Sequence, residues 1–240
     1  MYHSVGELGD DPNLLSISPA RFESQLLYLK RHNLRGVSMR ELFRAVSTGE
    51  DKGLIGLTFD DGYEDFLYTA VPILERLGYS ATVFMVAGMP GGENDWEHAF
   101  TPRPRLRLLD AEGIRETSER GMEVGSHTMT HARLPGAKAE LLEQEVGESR
   151  RVLSDVLGKS VEGFCYPYGS LDSAAVQATR RAGYAYACGW NTLVDRSAYD
   201  LPRIPISERD DLRRFAAKLR IYPQYVTAKR TLSRLRGGTY

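Results

Sequence analysis

The run LIGLTFDDG, residues 54–62, is an apolar β-like segment that ends in two adjacent carboxylates and a glycine. Two acids at the end of an apolar strand are costly to bury without a cation. Inside a regular strand, Asp60 and Asp61 would face opposite sides of the sheet. At the last residue of a strand, however, Gly62 permits a sharp turn that brings both carboxylates to one site. By itself the run fits a cation site and an acidic cap of the next helix equally well.

Short β-like runs and amphipathic helices alternate around this stretch. Further strands are predicted over 1–5, 80–86, 122–127, 161–168, 184–190 and 203–206. Apolar stripes predict helices over 64–77 and 137–157, and the Pro/Gly-rich segment 88–108 is predicted to be a long loop. A strand followed by a helix about seven times favours parallel strands joined by crossovers, in an open doubly wound sheet or in a closed barrel.

The positions of polar residues favour the barrel over the open sheet. Several polar side chains follow directly after predicted strands: Asp60, Asp61, His127, Tyr168 and Trp190. In a barrel the carboxyl ends of the strands converge on one face, whereas an open sheet gathers such residues only near its switch point. The sequence therefore predicts an α/β chain folded as a distorted (β/α)7–8 barrel.

Composition excludes several classes of protein. Of the 240 residues, 42% are apolar and 26% are charged, which is ordinary for a globular chain and excludes disorder and collagen-like repeats. Two cysteines are too few for a disulfide framework or a cysteine-rich zinc module. The first twenty residues lack the apolar core of a secretory signal. We therefore expect a cytoplasmic protein, or an extracellular one if the sequence is a trimmed piece of a longer chain.

Positive charge is concentrated at the C-terminal end. Residues 211–240 hold eight Lys or Arg and one acid, a balance of +7, so residues 1–210 carry −8 within the net charge of −1. The sequence thus predicts a barrel over 1–210 and a basic helical tail over 211–240 that packs on the barrel or extends from it. The tail fits a solvated helix face, or a peripheral contact with a membrane or an anionic substrate. No aromatic stacking pattern accompanies the charges, so no nucleic-acid partner is expected.

The run SHTMTH, residues 126–131, carries two of the five histidines in the chain. If the segment winds as a helical turn, His127 and His131 share one face at a spacing typical of metal ligands. A chance pairing is the alternative. Two histidines and one aspartate would make a three-ligand site with open positions, which is the pattern of a catalytic zinc.

A third run, FCYPYG over 164–169, is a strand end followed by Pro and Gly, which predicts a tight turn with exposed backbone N–H groups. Alone it is simply a turn between a strand and a helix. In their order and spacing, TFDDG, SHTMTH and FCYPYG together resemble the polysaccharide deacetylases, also called the NodB-homology or carbohydrate esterase family 4 fold. The resemblance implies a distorted (β/α) barrel that removes acetyl groups from N-acetylated sugars with a divalent metal, commonly zinc, with cobalt or nickel as alternatives.

Carried over residue by residue, the resemblance implies that Asp61, His127 and His131 ligate the metal. It implies that Asp60 is the general base, and that the backbone N–H of Tyr168 donates to the oxyanion.

Two further residues, Tyr166 and Trp190, are assigned to substrate binding. Trp190 and Trp96 of the long loop could form a wall on which a sugar stacks, although core packing is equally consistent for Trp190.

The sequence departs from the family pattern in two places. Cys165 stands where many members have an arginine that steadies the base, and no histidine follows His131 to supply the acid. The chain is more similar to a subgroup that resembles poly-N-acetylglucosamine deacetylases and begins with Met-Tyr-His, as residues 1–3 do. In that subgroup the early histidine serves as the acid, which implies this role for His3.

The same subgroup often has a late Pro-Arg-x-Pro strand, which residues 202–205 match. This implies that Arg203 tethers Asp60. The plainer alternatives are an exposed N-terminal residue for His3 and a surface arginine on a strand for Arg203. His98, in the long loop, is the other candidate acid.

The predicted function is a metal-dependent hydrolase of carbon–nitrogen bonds that removes acetyl from an N-acetylated sugar. The substrate would be a polymer or a lipid- or nucleotide-linked intermediate. A non-catalytic carbohydrate-binding member of the same fold is the alternative. A glycosidase is disfavoured, because Asp60 and Asp61 are adjacent and poorly disposed to flank a bond with carboxylates ~5–9.5 Å apart.

Overall fold

The computed structural model describes residues 1–7, 9, 11–97, 105–190, 194 and 197–221. In this part of the chain, nine short strands alternate with helices. The strands are β1 (Ser4–Val5), β2 (Ser16–Ile17), β3 (Arg35–Val37), β4 (Leu54–Gly56), β5 (Thr58–Phe59), β6 (Thr82–Met85), β7 (Glu123–Ser126), β8 (Gly163–Cys165) and β9 (Tyr186–Cys188).

The central sheet consists of β5 to β9, all parallel and in the order of the chain. Its strands are nearly continuous apolar runs buried on both faces, as in β6, where Val83, Phe84 and Met85 are at most 1% exposed. Two parallel pairs, β1 with β2 and β3 with β4, flank this sheet. All the predicted strands except that over 203–206 thus form, although each is shorter than its apolar run, and β2 and β3 are additional.

The N-terminal segment joins the sheet beside β5. The Tyr2 amide donates to the Thr58 carbonyl at 2.8 Å, and the Asp60 amide donates to the Tyr2 carbonyl at 3.0 Å. The Tyr2 ring stacks on Phe59 with centroids 5.3 Å apart and meets Phe22 edge-on at 5.2 Å. This aromatic cluster holds residue 3 next to residues 60 and 61.

The stretch 201–206 closes the curled sheet. The Gly189 amide donates to the Leu201 carbonyl at 2.9 Å, which joins the stretch to the end of β9. At its other end, the Met1 amine donates to the Ile204 carbonyl and the Ile206 amide donates to the Met1 carbonyl, both at 2.9 Å. The first and last β-like segments are therefore neighbours, and the predicted distorted barrel is confirmed. No regular strand forms over 203–206, where Pro205 has no N–H to donate.

Helices cover the outside of the curled sheet. They are α1 (Pro19–Arg31), α2 (Met39–Thr48), α3 (Val71–Leu77), α4 (Ala111–Glu119), α5 (Ala139–Leu142), α6 (Ser149–Leu157) and α7 (Ser173–Arg181). A π-helix, Phe66–Ala70, precedes α3, and another, Glu143–Glu148, joins α5 to α6, so both predicted helices are confirmed with π-turns inside them. Three helices begin at capping side chains, those of Ser38, Asp110 and Asp172.

The predicted long loop contains one short 3-10 helix, Asp95–Glu97, and residues 98–104 of the loop, including His98, lie outside the described residues. Beyond the barrel, a helix over 212–221 packs back on it through Phe215, which is 3% exposed and lies edge-on to Tyr28. Most of the basic tail, residues 222–240, is outside the described part, and the peripheral contact stays a prediction. None of the described helices is long and apolar enough to cross a membrane.

Tight packing inside the sheet predicts the effect of one small substitution. A Cβ added at Gly125 of β7 would lie 2.5 Å from Phe84 Cδ1 and 3.0 Å from the Gly163 carbonyl oxygen. We expect Gly125→Ala to lower the free energy of unfolding by about 1–3 kcal/mol, the range for overpacked cores. Chemical denaturation would measure this. Gly9→Ala is the matched control, since a Cβ there meets nothing within 4 Å. Equal stabilities of the two variants would contradict the packing described.

Candidate metal and catalytic site

A cavity of about 420 Å³ opens at the carboxyl ends of the strands. Eight of the nine residues predicted for the site line it: His3, Asp60, Asp61, His127, His131, Tyr168, Trp190 and Arg203. His3 comes from the segment before β1, Arg203 comes from the closing stretch, and the others follow β5, β7, β8 and β9, so the convergence expected of a barrel brings most of them together.

The sharp turn after β5 separates the two adjacent carboxylates. Asp61 has φ 74° and Gly62 has φ 83°. A Cβ at Gly62 would collide with Met85 Sδ at the end of β6, so this turn requires glycine for its space as well as for its backbone angle. The turn leaves Asp60 and Asp61 both at 4% exposure, in different surroundings.

Asp60 forms a buried, bidentate ion pair with Arg203. The guanidinium donates to Asp60 Oδ1 at 2.6 Å and to Oδ2 at 2.8 Å, and Arg203 is 6% exposed. Arg203 also donates to the Gly189 carbonyl at 3.2 Å, to the Thr58 hydroxyl at 3.3 Å and to Cys165 Sγ at 2.9 Å. Burial alone would raise the pKa of Asp60, but the charge and hydrogen bonds of Arg203 outweigh it and hold that pKa well below its usual range. Asp60 is therefore a carboxylate at neutral pH.

Asp61 lies against the two histidines. Its Oδ1 is 3.5 Å from His127 Nε2 and 3.4 Å from His131 Nε2. Each ring is oriented through its other nitrogen, since His127 Nδ1 bonds the Cys165 carbonyl at 2.8 Å and His131 Nδ1 bonds the Tyr168 hydroxyl at 3.1 Å. Outer contacts of this kind orient histidine ligands in metal sites.

The donor set of Asp61, His127 and His131 fits a divalent cation. The three ligand atoms lie within 4.8 Å of one another, all three residues are buried, and Asp61 Oδ1 has no hydrogen-bond partner among the described residues. Burial lowers the pKa of His127 to about 4, so its imidazole is neutral and able to ligate. Burial raises the pKa of Asp61, but His131, with smaller effects from His3 and His127, brings it down to about 2. The carboxylate is therefore charged.

A second group, Asp60 with His127 and Cys165, is equally close-set but fits a cation less well. Burial raises the pKa of the Cys165 thiol well above its usual value, and only a thiolate is a strong ligand. Both oxygens of Asp60 are already bonded to Arg203.

Aromatic rings form the wall of the cavity near His131. Trp96 stacks on the His131 ring with centroids 4.7 Å apart, and Tyr168 meets that ring edge-on at 4.6 Å. The guanidinium of Arg133 lies 3.6 Å from the centre of the Tyr168 ring. Trp190 is 50% exposed at the rim of the cavity, which favours the predicted substrate contact over core packing for this residue.

The assignment of Tyr166 to substrate binding is wrong. Its side chain is fully buried, its hydroxyl donates to the Tyr199 carbonyl at 3.0 Å, and its ring packs edge-on against Phe164. Successive residues of a strand face opposite sides. Because Cys165 faces Asp60 and Arg203, Tyr166 faces the core.

Sequence reasoning did not foresee some residues of the cavity wall. Asn13, Leu14 and Leu15 reach it from the loop before β2, and Lys218 reaches it from the helix over 212–221. Lys218 also donates to the Pro205 carbonyl and to Asp210. The signals in the sequence were weak, because Lys218 is one basic residue among eight in the tail.

Comparison with known proteins adds a second kind of observation. A family model described as polysaccharide deacetylase matches residues 47–187, a range that includes 58–62, 126–131 and 164–169 but neither His3 nor Arg203. The crystal structure of BC0361, a polysaccharide deacetylase from Bacillus cereus, is similar with a TM-score of 0.75 and 25% identity, covering 91% of this chain and 67% of that one.

Two curated relatives show the same similarity in sequence. The poly-beta-1,6-N-acetyl-D-glucosamine N-deacetylase of Staphylococcus aureus (strain MRSA252) is 26% identical over 203 residues, which cover 80% of this chain and 68% of that protein. YxkH of Bacillus subtilis (strain 168), which bears the name of the same family, is 24% identical over 186 residues, covering 77% and 61%. The chain therefore spans about three fifths to two thirds of the length of these relatives.

The buried ion pair predicts strong energetic coupling between its two residues. Removing one partner leaves the other charge buried alone, so Asp60→Asn and Arg203→Met should each lower the free energy of unfolding by about 3–5 kcal/mol. The double variant leaves neither charge of this pair and should lose much less than the sum, as measured by denaturation of all four proteins. The exposed pair of Arg44 and Glu162, with side chains 67% and 32% exposed, is the control and should couple by under about 1 kcal/mol. Additive losses at Asp60 and Arg203 would refute the pairing.

Proposed function

Because this chain belongs to the polysaccharide deacetylase family, we propose that it is a metal-dependent hydrolase. It would remove the acetyl group from N-acetylglucosamine units of a polymer. The observation that carries the proposal is one cavity in which an ionised carboxylate, Asp60, lies beside a buried group that could hold a cation, Asp61 with His127 and His131. The products would be acetate and a free amino sugar.

Asp61, His127 and His131 would hold the metal. One carboxylate and two imidazoles leave open positions on the ion, which suits zinc, and cobalt or nickel would accept the same donors. When bound there, a divalent ion supplies Lewis acidity, which polarises an amide carbonyl and acidifies a water molecule.

Asp60 would act as the general base. A group that takes a proton has to be ionised beforehand, and the ion pair with Arg203 keeps this carboxylate ionised throughout the neutral range. Arg203 would thus position the base and maintain its charge. The backbone N–H of Tyr168, where the chain turns with φ 60°, would donate to the developing oxyanion.

His3 would act as the acid. An amine leaves the tetrahedral intermediate readily only if its nitrogen is protonated, so a donor has to face the bound sugar. His3 is half-buried, lines the cavity, and lies close enough to Asp60 and Asp61 that its charge lowers the pKa of both.

An N-acetylglucosamine polymer is supported as the substrate class by the printed name of the Staphylococcus aureus relative. The rim also suits sugars, because the half-exposed Trp190 and the ring of Trp96 offer apolar faces beside polar groups. Lipid- and nucleotide-linked N-acetyl sugars are the other substrates to compare.

Acetate release is the direct test of this proposal. The protein would be assayed on β-1,6- and β-1,4-linked N-acetylglucosamine oligomers and on nucleotide-linked N-acetylglucosamine, with and without chelator and with zinc added back. We expect equal amounts of acetate and free amine. Acetate release should be lost with chelator and recover when zinc is added. Sugar binding without acetate release under any of these conditions would identify a non-catalytic carbohydrate-binding protein instead.

Asp60→Asn should retain metal binding and lose most turnover. The amide fills the same space but accepts no proton at neutral pH, and loss of a general base costs about 10²–10⁴-fold in rate. Metal content would be measured by elemental analysis, and the assay temperature would be set below the melting point of the variant, because Arg203 then lacks its charged partner. Acetate release near the wild-type rate would exclude Asp60 as the base.

His3→Ala should separate two kinds of leaving group. Turnover of N-acetyl sugars should fall about 10²-fold or more. An activated acetate ester should be hydrolysed at close to the wild-type rate, because its leaving group departs without a proton. Metal content should be unchanged. Equal losses on both substrates would mean that His3 only positions the substrate. If neither rate falls, the acid lies elsewhere, with His98 the next candidate.

A further inference from the structure

The loop between the two histidines of the site has a backbone that few residues adopt. Thr128 has φ 69° and His131 has φ 60°. A positive φ is a strong outlier for a β-branched residue such as threonine. Backbone conformations of this kind persist only where the surrounding structure holds them. Something other than the loop itself must therefore keep both Nε2 atoms turned toward Asp61.

The carbonyl side of this loop is held by the backbone that follows β6. The Ala87 amide donates to the Thr128 carbonyl and the Gly88 amide donates to the Met129 carbonyl, both at 2.9 Å. The approach is so close that a Cβ on Gly88 would lie 2.5 Å from the Met129 oxygen. These bonds satisfy two acceptors of the loop and leave its amides to other partners.

The amide side of the loop is held by one carboxylate, that of Glu145. Its Oε2 accepts from the Met129 amide at 2.9 Å and from the Thr130 amide at 3.0 Å. Its Oε1 accepts from the Thr130 hydroxyl at 2.7 Å. Consecutive backbone N–H groups that converge in this way form a concave anion site, and hydrogen bonds to a charged acceptor are stronger than neutral ones.

Glu145 is placed for this contact by the π-helix Glu143–Glu148. It is 2% exposed, between Leu142 and Val146 on the buried side of the long helix. A carboxylate buried there without partners would be strongly destabilising, and every hydrogen bond that the structure describes for it goes to the loop 128–131. A single π-turn inside a longer helix is frequently found at functional sites.

We infer that Glu145 is a positioning residue, which holds the loop in the conformation that turns His127 and His131 toward a metal ion. The inference rests on the proposed function, since the metal is the reason for holding both imidazoles in place. No described hydrogen bond joins the Glu145 carboxylate to a proposed metal ligand, or to Asp60 or His3. Its effect is therefore on metal affinity, through the geometry of the backbone.

Three variants test this inference, with zinc affinity measured by competition with a chelating dye. Glu145→Ala should weaken zinc binding by about 10–100-fold, the usual cost of losing an outer partner of a metal site. Glu145→Gln should stay within a few-fold of the wild type. Its amide oxygen can still accept from both backbone N–H groups, and its NH2 can donate to the Thr130 hydroxyl, which serves as donor or acceptor. Glu143→Ala, an exposed position on the same π-helix, is the matched control and should bind zinc normally.

Amide hydrogen exchange of metal-free protein provides a readout that needs no zinc. In Glu145→Ala the amides of Met129 and Thr130 lose their acceptor and should exchange faster, while those in β7 keep their protection. If this variant fails to fold, Thr130→Val at an exposed position removes only the hydroxyl bond and should give a smaller loss of zinc affinity in the same direction.

The outcomes separate this inference from the proposed function. If wild-type protein binds no zinc, the metal-dependent function fails, and the exchange rates alone decide whether Glu145 holds the loop. Unchanged exchange at Met129 and Thr130 in Glu145→Ala overturns the inference, and so does a zinc affinity equal to that of a zinc-binding wild type. An equal loss of affinity in Glu143→Ala overturns it as well.

Discussion

The buried ion pair between Asp60 and Arg203 connects the fold to its chemistry. Asp60 follows β5 and Arg203 lies in the closing stretch 201–206, so the pair joins two edges of the curled sheet that the chain separates by 143 residues. Both side chains are almost fully buried, and neither charge is tolerable there without the other. The contact that helps to close the barrel also keeps the carboxylate ionised.

A second consequence concerns the division between two neighbouring carboxylates. Asp60 has both oxygens bonded to a permanent cation, whereas Asp61 has a buried oxygen that no donor in the described part of the chain satisfies. Their pKa values are both depressed, by an arginine in one case and by histidines in the other. A cation close to Asp61 would satisfy that oxygen, while Asp60 stays ionised beside it. Two identical side chains thereby acquire different surroundings from the turn at Gly62.

The cysteine at position 165, where the family pattern has an arginine, has a simple steric basis. The thiol is small, lies fully buried beside Asp60, and accepts a hydrogen bond from Arg203 at 2.9 Å. An arginine at position 165 would need the space that the guanidinium of Arg203 occupies. A positive charge thus lies next to Asp60, and it comes from another segment of the chain. The distorted barrel allows this exchange because several strand ends reach the same cavity.

Local pattern was enough to predict the alternation of strands and helices, because it depends on neighbours within a few positions. It also marked Asp60, Asp61, His127 and His131, which the structure brings to one cavity. The family resemblance added His3 and Arg203, and the bonds of Met1 to Ile204 and Ile206 explain why chain ends so far apart meet at one cavity. Tyr166 was misassigned because the direction of a side chain at a strand end depends on the strands beside it. Glu145 was overlooked because, in one dimension, it is an ordinary glutamate next to an apolar stripe. Only the packing of the helix 139–157 against the loop 128–131 brings its carboxylate to two backbone amides, and contacts between distant segments leave no periodic trace in the chain.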